Sequence, residues 1–246
     1  LRLEGDETMT ESLAAIAKMI DHSLLHPMLT DAQLVAGCQL ARRCQVASVC
    51  IKPYAVSLAV DQLAGSDVKV GTVVGFPHGG SPAAVKLKEA EVCLAAGAVE
   101  LDMVVNIGKV LSQDWAYVSG EIQQVNQLIV DQGGLLKVIF ENDFLIDDAI
   151  KIRLCQVCNE SAVAFVKTST GYGFVRRENG MYTYQGATDH DLALMRRASL
   201  PAVQVKAAGG VRTLDDLLRV RALGVTRVGA TATEAILDEA RRRGYQ

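Results

Sequence analysis

Residues 99–105 read VELDMVV. Side chains alternate between the two faces of a strand, so Val99, Leu101, Met103 and Val105 share one side. Glu100, Asp102 and Val104 share the other. The pattern returns further along. Leu136, Val138 and Phe140 oppose Lys137, Ile139 and Glu141; Ala162, Ala164 and Val166 oppose Val163, Phe165 and Lys167; Val203 and Val205 oppose Gln204 and Lys206. Taken alone, such alternation describes a half-exposed antiparallel strand. Here each run is followed by a stretch of helical period, which requires the strands to be parallel, and parallel sheets are covered on both faces. The apolar side then meets the helices and the charged side turns inward.

Eight β-branched runs of this kind occur, at 19–21, 47–51, 68–74, 99–105, 135–140, 162–166, 202–206 and 226–228. Between them lie helical stretches with recognisable ends. Thr30 precedes a helix over 31–44 as its cap. Ser81 and Pro82 read as an N-cap and first-turn proline, with Gly97 closing that helix, and Gly224 ends a helix over 214–223. Eight strand–helix units are what a (β/α)8 TIM barrel requires. A doubly wound open sheet is the alternative, but no glycine-rich dinucleotide fingerprint follows the first strand. Residues 171–186, with three tyrosines and a turn at Glu178, Asn179 and Gly180, form a long loop at the expected active-site end.

The chain has 246 residues, half of them apolar, with 22% charged and a formal net charge of −3. That length suits one large α/β domain, here placed over 9–246. The chain starts on Leu1 rather than Met, and residues 1–8 read as a tag or upstream extension, excluded from the fold. No apolar run reaches the roughly 18 residues that span a membrane, and the acidic start is unlike a secretory signal. The weakly acidic balance argues against nucleic acid; Arg241–Arg243 read as a solvated helix end. The six cysteines sit within apolar patterns and read as reduced thiols of a cytoplasmic protein, the Cys155–Cys158 pair included. His22, His26, His78 and His190 lack convincing metal-ligand spacing, so neither a metal nor another cofactor is expected.

Unpaired buried charges cost several kcal/mol each, so inward charges need partners or a purpose. Glu100, Asp102 and Glu141 face Lys137, Lys167 and Lys206, with Asp21 and Arg227 as further members. A purely structural ion network is one reading. A catalytic site is the other, because Lys167 and Lys206 end adjacent strands, where barrel enzymes carry their chemistry. Two ammonium groups about 4 Å apart at an effective dielectric near 20 repel by roughly 4 kcal/mol, about three pKa units. Desolvation acts in the same direction. A lysine made neutral in this way attacks a carbonyl carbon to give a Schiff base, and Asp102 is placed to carry the protons. Gly171, the Gly209–Gly210 pair and Gly229 follow the sixth, seventh and eighth strands, where backbone N–H groups bind phosphate. Arg212 and Thr231 are candidate donors there, Arg212 reading equally as a solvated loop charge.

The segments IDHSLL (20–25), VCIKP (49–53), VVGFPHG (73–79), ELDMVVNIG (100–108), KVIFE (137–141), FVKTSTGYG (165–173), VKAAGGVRT (205–213) and GVTRVGAT (224–231) resemble the deoxyribose-phosphate aldolase family, in order and along nearly the whole barrel. The resemblance implies a class I aldolase cleaving 2-deoxy-D-ribose 5-phosphate reversibly to D-glyceraldehyde 3-phosphate and acetaldehyde, in deoxynucleoside catabolism. It implies Lys167 as the Schiff-base lysine, Lys206 as the lysine that tunes it, and Asp102 as proton relay. Asp21 and Lys137 would support the network, and Thr170 would join the phosphate-binding residues. Cys50 matches a cysteine near the pocket, although by itself it reads as a small apolar wall residue. Relatives suggest a homodimer or homotetramer. Two features depart from the family pattern, a longer loop at 173–184 and Ala232 after Thr231, while Tyr245 is placed to reach over the site as a terminal tyrosine does in some relatives. An aldolase for another sugar phosphate, or a non-catalytic sugar-phosphate-binding barrel, are the competing functions.

Overall fold

The computed structural model describes residues 12–176 and 178–246; the expected extension over 1–8 and the boundary at residue 9 lie outside the described residues. Eight strands, all paired in parallel, close into a barrel: β1 (Ile20–Leu24), β2 (Ser48–Ile51), β3 (Lys69–Val74), β4 (Glu100–Val104), β5 (Leu135–Ile139), β6 (Phe165–Lys167), β9 (Gln204–Ala208) and β10 (Arg227–Ala230). Strands β7 (Val175–Arg176) and β8 (Tyr182–Thr183) form a separate antiparallel hairpin after β6. The barrel strands are followed in turn by α2 (Asp31–Cys44), α3 (Val56–Leu63), α4 (Ala83–Ala95), α6 (Trp115–Asp131), α7 (Asp148–Glu160), α8 (Asp189–Ala198), α9 (Leu214–Ala222) and α10 (Thr233–Arg242). Two short helices, α1 (Leu13–Ala17) before β1 and α5 (Ile107–Leu111) after β4, and a 3-10 turn at Pro53–Ala55 are the remaining helical elements among the described residues.

All eight expected strands are present, with shifted ends. The sixth starts at Phe165 rather than 162 because Ala162 adopts φ 49° and Val163 N–H donates to Cys158 O, so those residues close α7. Thr30 and Gln33 form a full capping box on α2. Ser81 does not cap α4. Pro82 itself is the half-in residue, at φ −55° and ψ 148°, and the helix starts one residue later without a side-chain cap. The proline ring holds φ near the helical value while ψ stays extended. Tyr245 does not reach the site. Its strand-following helix runs back down the barrel, so Tyr245 packs on the core at the end where α1 sits, with Leu13 N–H donating to Gln246 O.

Leu101, Met103, Leu136, Val138, Val166 and Val205 are fully buried between strands and helices, each contributing about 1.5–3 kcal/mol of apolar burial. One polar tie crosses this layer unannounced by the sequence. Lys86 of α4 is fully buried, its Nζ donating to Val104 O (2.7 Å) and pairing with Glu121 of α6 (2.9 Å). Glu121 also accepts from Asn106 N–H (3.1 Å). Both helices are thereby fastened to the upper end of β4, whose Asp102 sits in the barrel interior.

His22, on the helix-facing side of β1, is buried, with Nδ1 2.8 Å from Thr233 Oγ1 at the start of α10. Burial pushes its pKa down from 6.5 to about 4. The unfolded chain therefore takes up this proton before the folded one does, so stability is complete above pH 6.5 and is lost as pH falls through 4. Urea unfolding of wild type and His22→Asn is expected to show the difference between them narrowing by about 3 kcal/mol from pH 7 to pH 4. A pH-independent difference would mean His22 is not held neutral.

Candidate active site

Register brings the inward charges to one level. Lys167 and Lys206 are direct partners across β6 and β9, Asp102 and Lys137 across β4 and β5, and Lys206 and Arg227 across β9 and β10. Lys167 Nζ and Lys206 Nζ each donate to the same atom, Asp102 Oδ2, at 2.7 Å. Their separation therefore cannot exceed twice that distance. Lys137 Nζ donates to Asp102 Oδ1 (2.9 Å) and pairs with Glu100 Oε2 (2.7 Å). Asp21 completes the layer, with Lys206 Nζ at 2.5 Å, Arg227 at 2.5 Å, and Ser48 Oγ donating at 2.6 Å. Arg227 also donates to both oxygens of Glu100, at 3.2 and 3.3 Å. Asp21 and Asp102 have no exposed surface, and Lys137 and Lys206 are 1% exposed.

Glu141 does not join this network, contrary to the sequence expectation. The chain turns at Glu141 with φ 59°, and the carboxylate accepts from Thr170 N–H (3.1 Å) and from the Thr170 hydroxyl. It lies past the end of β5, where strand alternation no longer governs direction. The consequence is a charge imbalance. Three carboxylates (Asp21, Glu100, Asp102) face four cations (Lys137, Lys167, Lys206, Arg227), so one cation is surplus.

Lys167 is the amine that yields. Burial, reinforced by Lys206 and opposed by Asp102, lowers its pKa below the ordinary lysine value. Desolvation leads and the second cation assists, the reverse of the emphasis the sequence suggested. Burial also acts against charge on Lys206, but Asp102 and Asp21 overcome it and the pKa rises. Lys137 is raised likewise, against its burial, by Asp102, Asp21 and Glu100. Asp102 and Asp21 are held below the usual carboxylate range, their burial outweighed by the cations around them.

Above this layer opens a cavity of about 530 Å³. Lys167, Lys206 and Asp21 reach its floor, with Asp102 and Lys137 beneath, and all six expected phosphate residues (Thr170, Gly171, Gly209, Gly210, Gly229 and Thr231) line it, as does Arg212. Gly209 and Gly210 take φ of 87° and 94°, left-handed values that favour glycine. A Cβ on Gly229 would lie 3.6 Å from Lys206 Cε, an ordinary van der Waals contact. The Thr170 hydroxyl is already engaged, donating to Glu141 and accepting from Tyr172 N–H (2.9 Å). Sequence reasoning missed Ser48 and did not assign the aromatic wall of Tyr172, Phe174 and Tyr184, which the four aromatic residues within 171–186 could have signalled. Cys50 also lines the cavity, its thiol pushed up to about 11 chiefly by burial. Cys155 and Cys158 are free and buried in α7, both thiols raised by desolvation, which suits packing rather than redox exchange. Asp148, His190 and Asp191 cluster outside the barrel, but Lys151 already sits there, 2.9 Å from Asp148 and 2.5 Å from Asp191. Among the described residues, no helix is long and apolar enough to cross a membrane.

A buried amine of lowered pKa beneath a glycine-rimmed cavity is the equipment of imine-forming barrel aldolases. Residues 15–231 match the DeoC/LacD family aldolase model. The chain belongs to that family. It is 52% identical over 228 residues to a deoxyribose-phosphate aldolase of Rhodopirellula baltica, across 93% of this chain and 90% of the relative. It is 41% identical to a deoxyribose-phosphate aldolase of Caldanaerobacter subterraneus, across 95% and 97%. A tetrameric deoxyribose phosphate aldolase structure from Aeropyrum pernix is similar with a TM-score of 0.80 at 28% identity, across 94% of this chain and 92% of that one.

Proposed function

We propose that the protein is a class I aldolase that reversibly cleaves 2-deoxy-D-ribose 5-phosphate to D-glyceraldehyde 3-phosphate and acetaldehyde. Lys167 Nζ adds to the C1 aldehyde carbon and, with loss of water, forms a protonated imine. The C3 hydroxyl gives up its proton, the C2–C3 bond breaks, and its electron pair moves to C2 as an enamine while glyceraldehyde 3-phosphate leaves. C2 then takes a proton and water hydrolyses the imine, releasing acetaldehyde and restoring the amine. Asp102 and Lys206 carry protons, directly or through water, while Asp21 and Lys137 hold them in place. The substrate phosphate lies against the N–H groups around Gly171, Gly209, Gly210 and Gly229, beside Thr170, Thr231 and Arg212. The chemistry is within the reach of the chain's own side chains.

The observation carrying this reading is the pair of lysines sharing one oxygen of Asp102, with Lys167 the amine of lowered pKa. The family match and the relatives' names support the substrate. A role in deoxynucleoside breakdown in the cytoplasm, a homodimeric or homotetrameric assembly, and one domain over 9–246 accord with this reading. The test is enzyme-coupled detection of acetaldehyde from 2-deoxyribose 5-phosphate. Turnover is expected; cleavage of a ketose phosphate instead would move the assignment to another sugar-phosphate aldolase.

A further inference from the structure

The hairpin after β6 stands beside the expected phosphate cradle, and its two legs are gripped by two acidic residues of the β5–α7 connection. Glu141 takes the departing leg through Thr170, as described. Asp143 takes the returning leg: Gln185 N–H donates to Oδ1 (2.5 Å) and Gly186 N–H to Oδ2 (3.0 Å). The next residue then touches the cradle itself, with Ala187 N–H donating to Gly209 O (3.0 Å). Contact at that point is backbone on backbone. A Cβ on Gly186 would lie 2.8 Å from Gly209 O, and Gly186 has φ 70°. The Phe174 and Tyr184 rings meet edge-on at 5.2 Å across the hairpin base, and both line the cavity.

We infer that Asp143 is a positioning residue for substrate-phosphate recognition: by clamping Gln185 and Gly186 it seats the returning leg against Gly209 and fixes the direction of the Gly209–Gly210 turn. The inference rests on the proposed function and extends it to a residue that touches no reacting atom. Gly209 O and the Gly210 N–H lie on opposite sides of one peptide plane, so holding that oxygen through Ala187 also fixes the direction of the N–H of Gly210, which lines the cavity. Without the clamp, the turn must be ordered by the phosphate itself, so affinity for the phosphate falls while the lysine layer below is untouched.

The experiment compares wild type, Asp143→Asn and Asp143→Ala on 2-deoxyribose 5-phosphate and on unphosphorylated 2-deoxyribose. Asp143→Ala is expected to raise KM for the phosphate ester about tenfold with kcat within about twofold. The preference for the ester over the free sugar falls in proportion. Asparagine keeps one acceptor oxygen and falls between. An unaltered preference, or equal losses on both sugars, would overturn the inference, since a merely structural role weakens both alike. If wild type releases no acetaldehyde from the ester, the functional reading fails. Titration with inorganic phosphate then decides the clamp, whose loss is expected to weaken binding about tenfold; equal binding to wild type and variant would overturn it.

Discussion

Lys167→Leu is expected to lower kcat/KM for the aldol cleavage by roughly 10⁴-fold or more, the loss typical of removing a covalent nucleophile. Borohydride with acetaldehyde is expected to leave a reduced two-carbon adduct on Lys167 of wild type and none on the variant, read by peptide mass spectrometry. Stability moves little, for a reason the charge count supplies. Taking away one ammonium leaves Asp21, Glu100 and Asp102 facing Lys137, Lys206 and Arg227, three against three. Asp102 keeps Lys137 on one oxygen and Lys206 on the other, so no buried carboxylate is orphaned. A hydrophobic side chain in a site that is 3% exposed also adds apolar burial. An adduct that persists on another lysine of the variant would remove Lys167 from the nucleophile's role.

Lys206→Leu acts on the same reaction by another route. The surplus cation disappears with Lys206, and Lys167 becomes a needed counter-charge of Asp102. Its proton is then retained. Removing a unit charge about 5 Å away at an effective dielectric near 20 relieves roughly 3 kcal/mol of repulsion, about two pKa units. Turnover at pH 7 is expected to fall about 10²-fold or more. The sign of the pH dependence separates the two variants. Imine formation needs the neutral amine, so activity rises as pH climbs through the pKa of Lys167. That rise moves to higher pH in Lys206→Leu, and alkaline buffer restores part of the rate. Lys167→Leu shows no such recovery. Folding is retained because Asp21 keeps Arg227 and Ser48. A Lys206 variant with wild-type rate and pH profile would end the account of how Lys167 is tuned.

Much of this was legible in the sequence because β-strand alternation is a rule about direction. Once helices between the strands require them to be parallel, Asp102, Lys167 and Lys206 must face the same interior, and adjacency of β6 and β9 brings two amines together. The rule stops where strands stop. Glu141 lies beyond Ile139, and its left-handed turn sends the carboxylate to Thr170 instead of the lysines. Ser81 failed as a cap for a related reason, since the conformation of one proline decided where the helix began. The Lys86–Glu121 pair and the Asp143 clamp join segments with no shared period, so nothing in their local sequence announces them. Loop placement is a tertiary outcome, and the cavity's aromatic wall was visible only as unexplained composition.

The small ribbon of β7 and β8 contributes no ladder to the eight closing strands. Lengthening, shortening or replacing it therefore alters what stands at the entrance without shifting the register of any lysine. A lineage, or a laboratory library, can vary which molecules are admitted by rewriting the tip residues between the points held by Glu141 and Asp143, while the bond-breaking apparatus passes unchanged from parent to descendant.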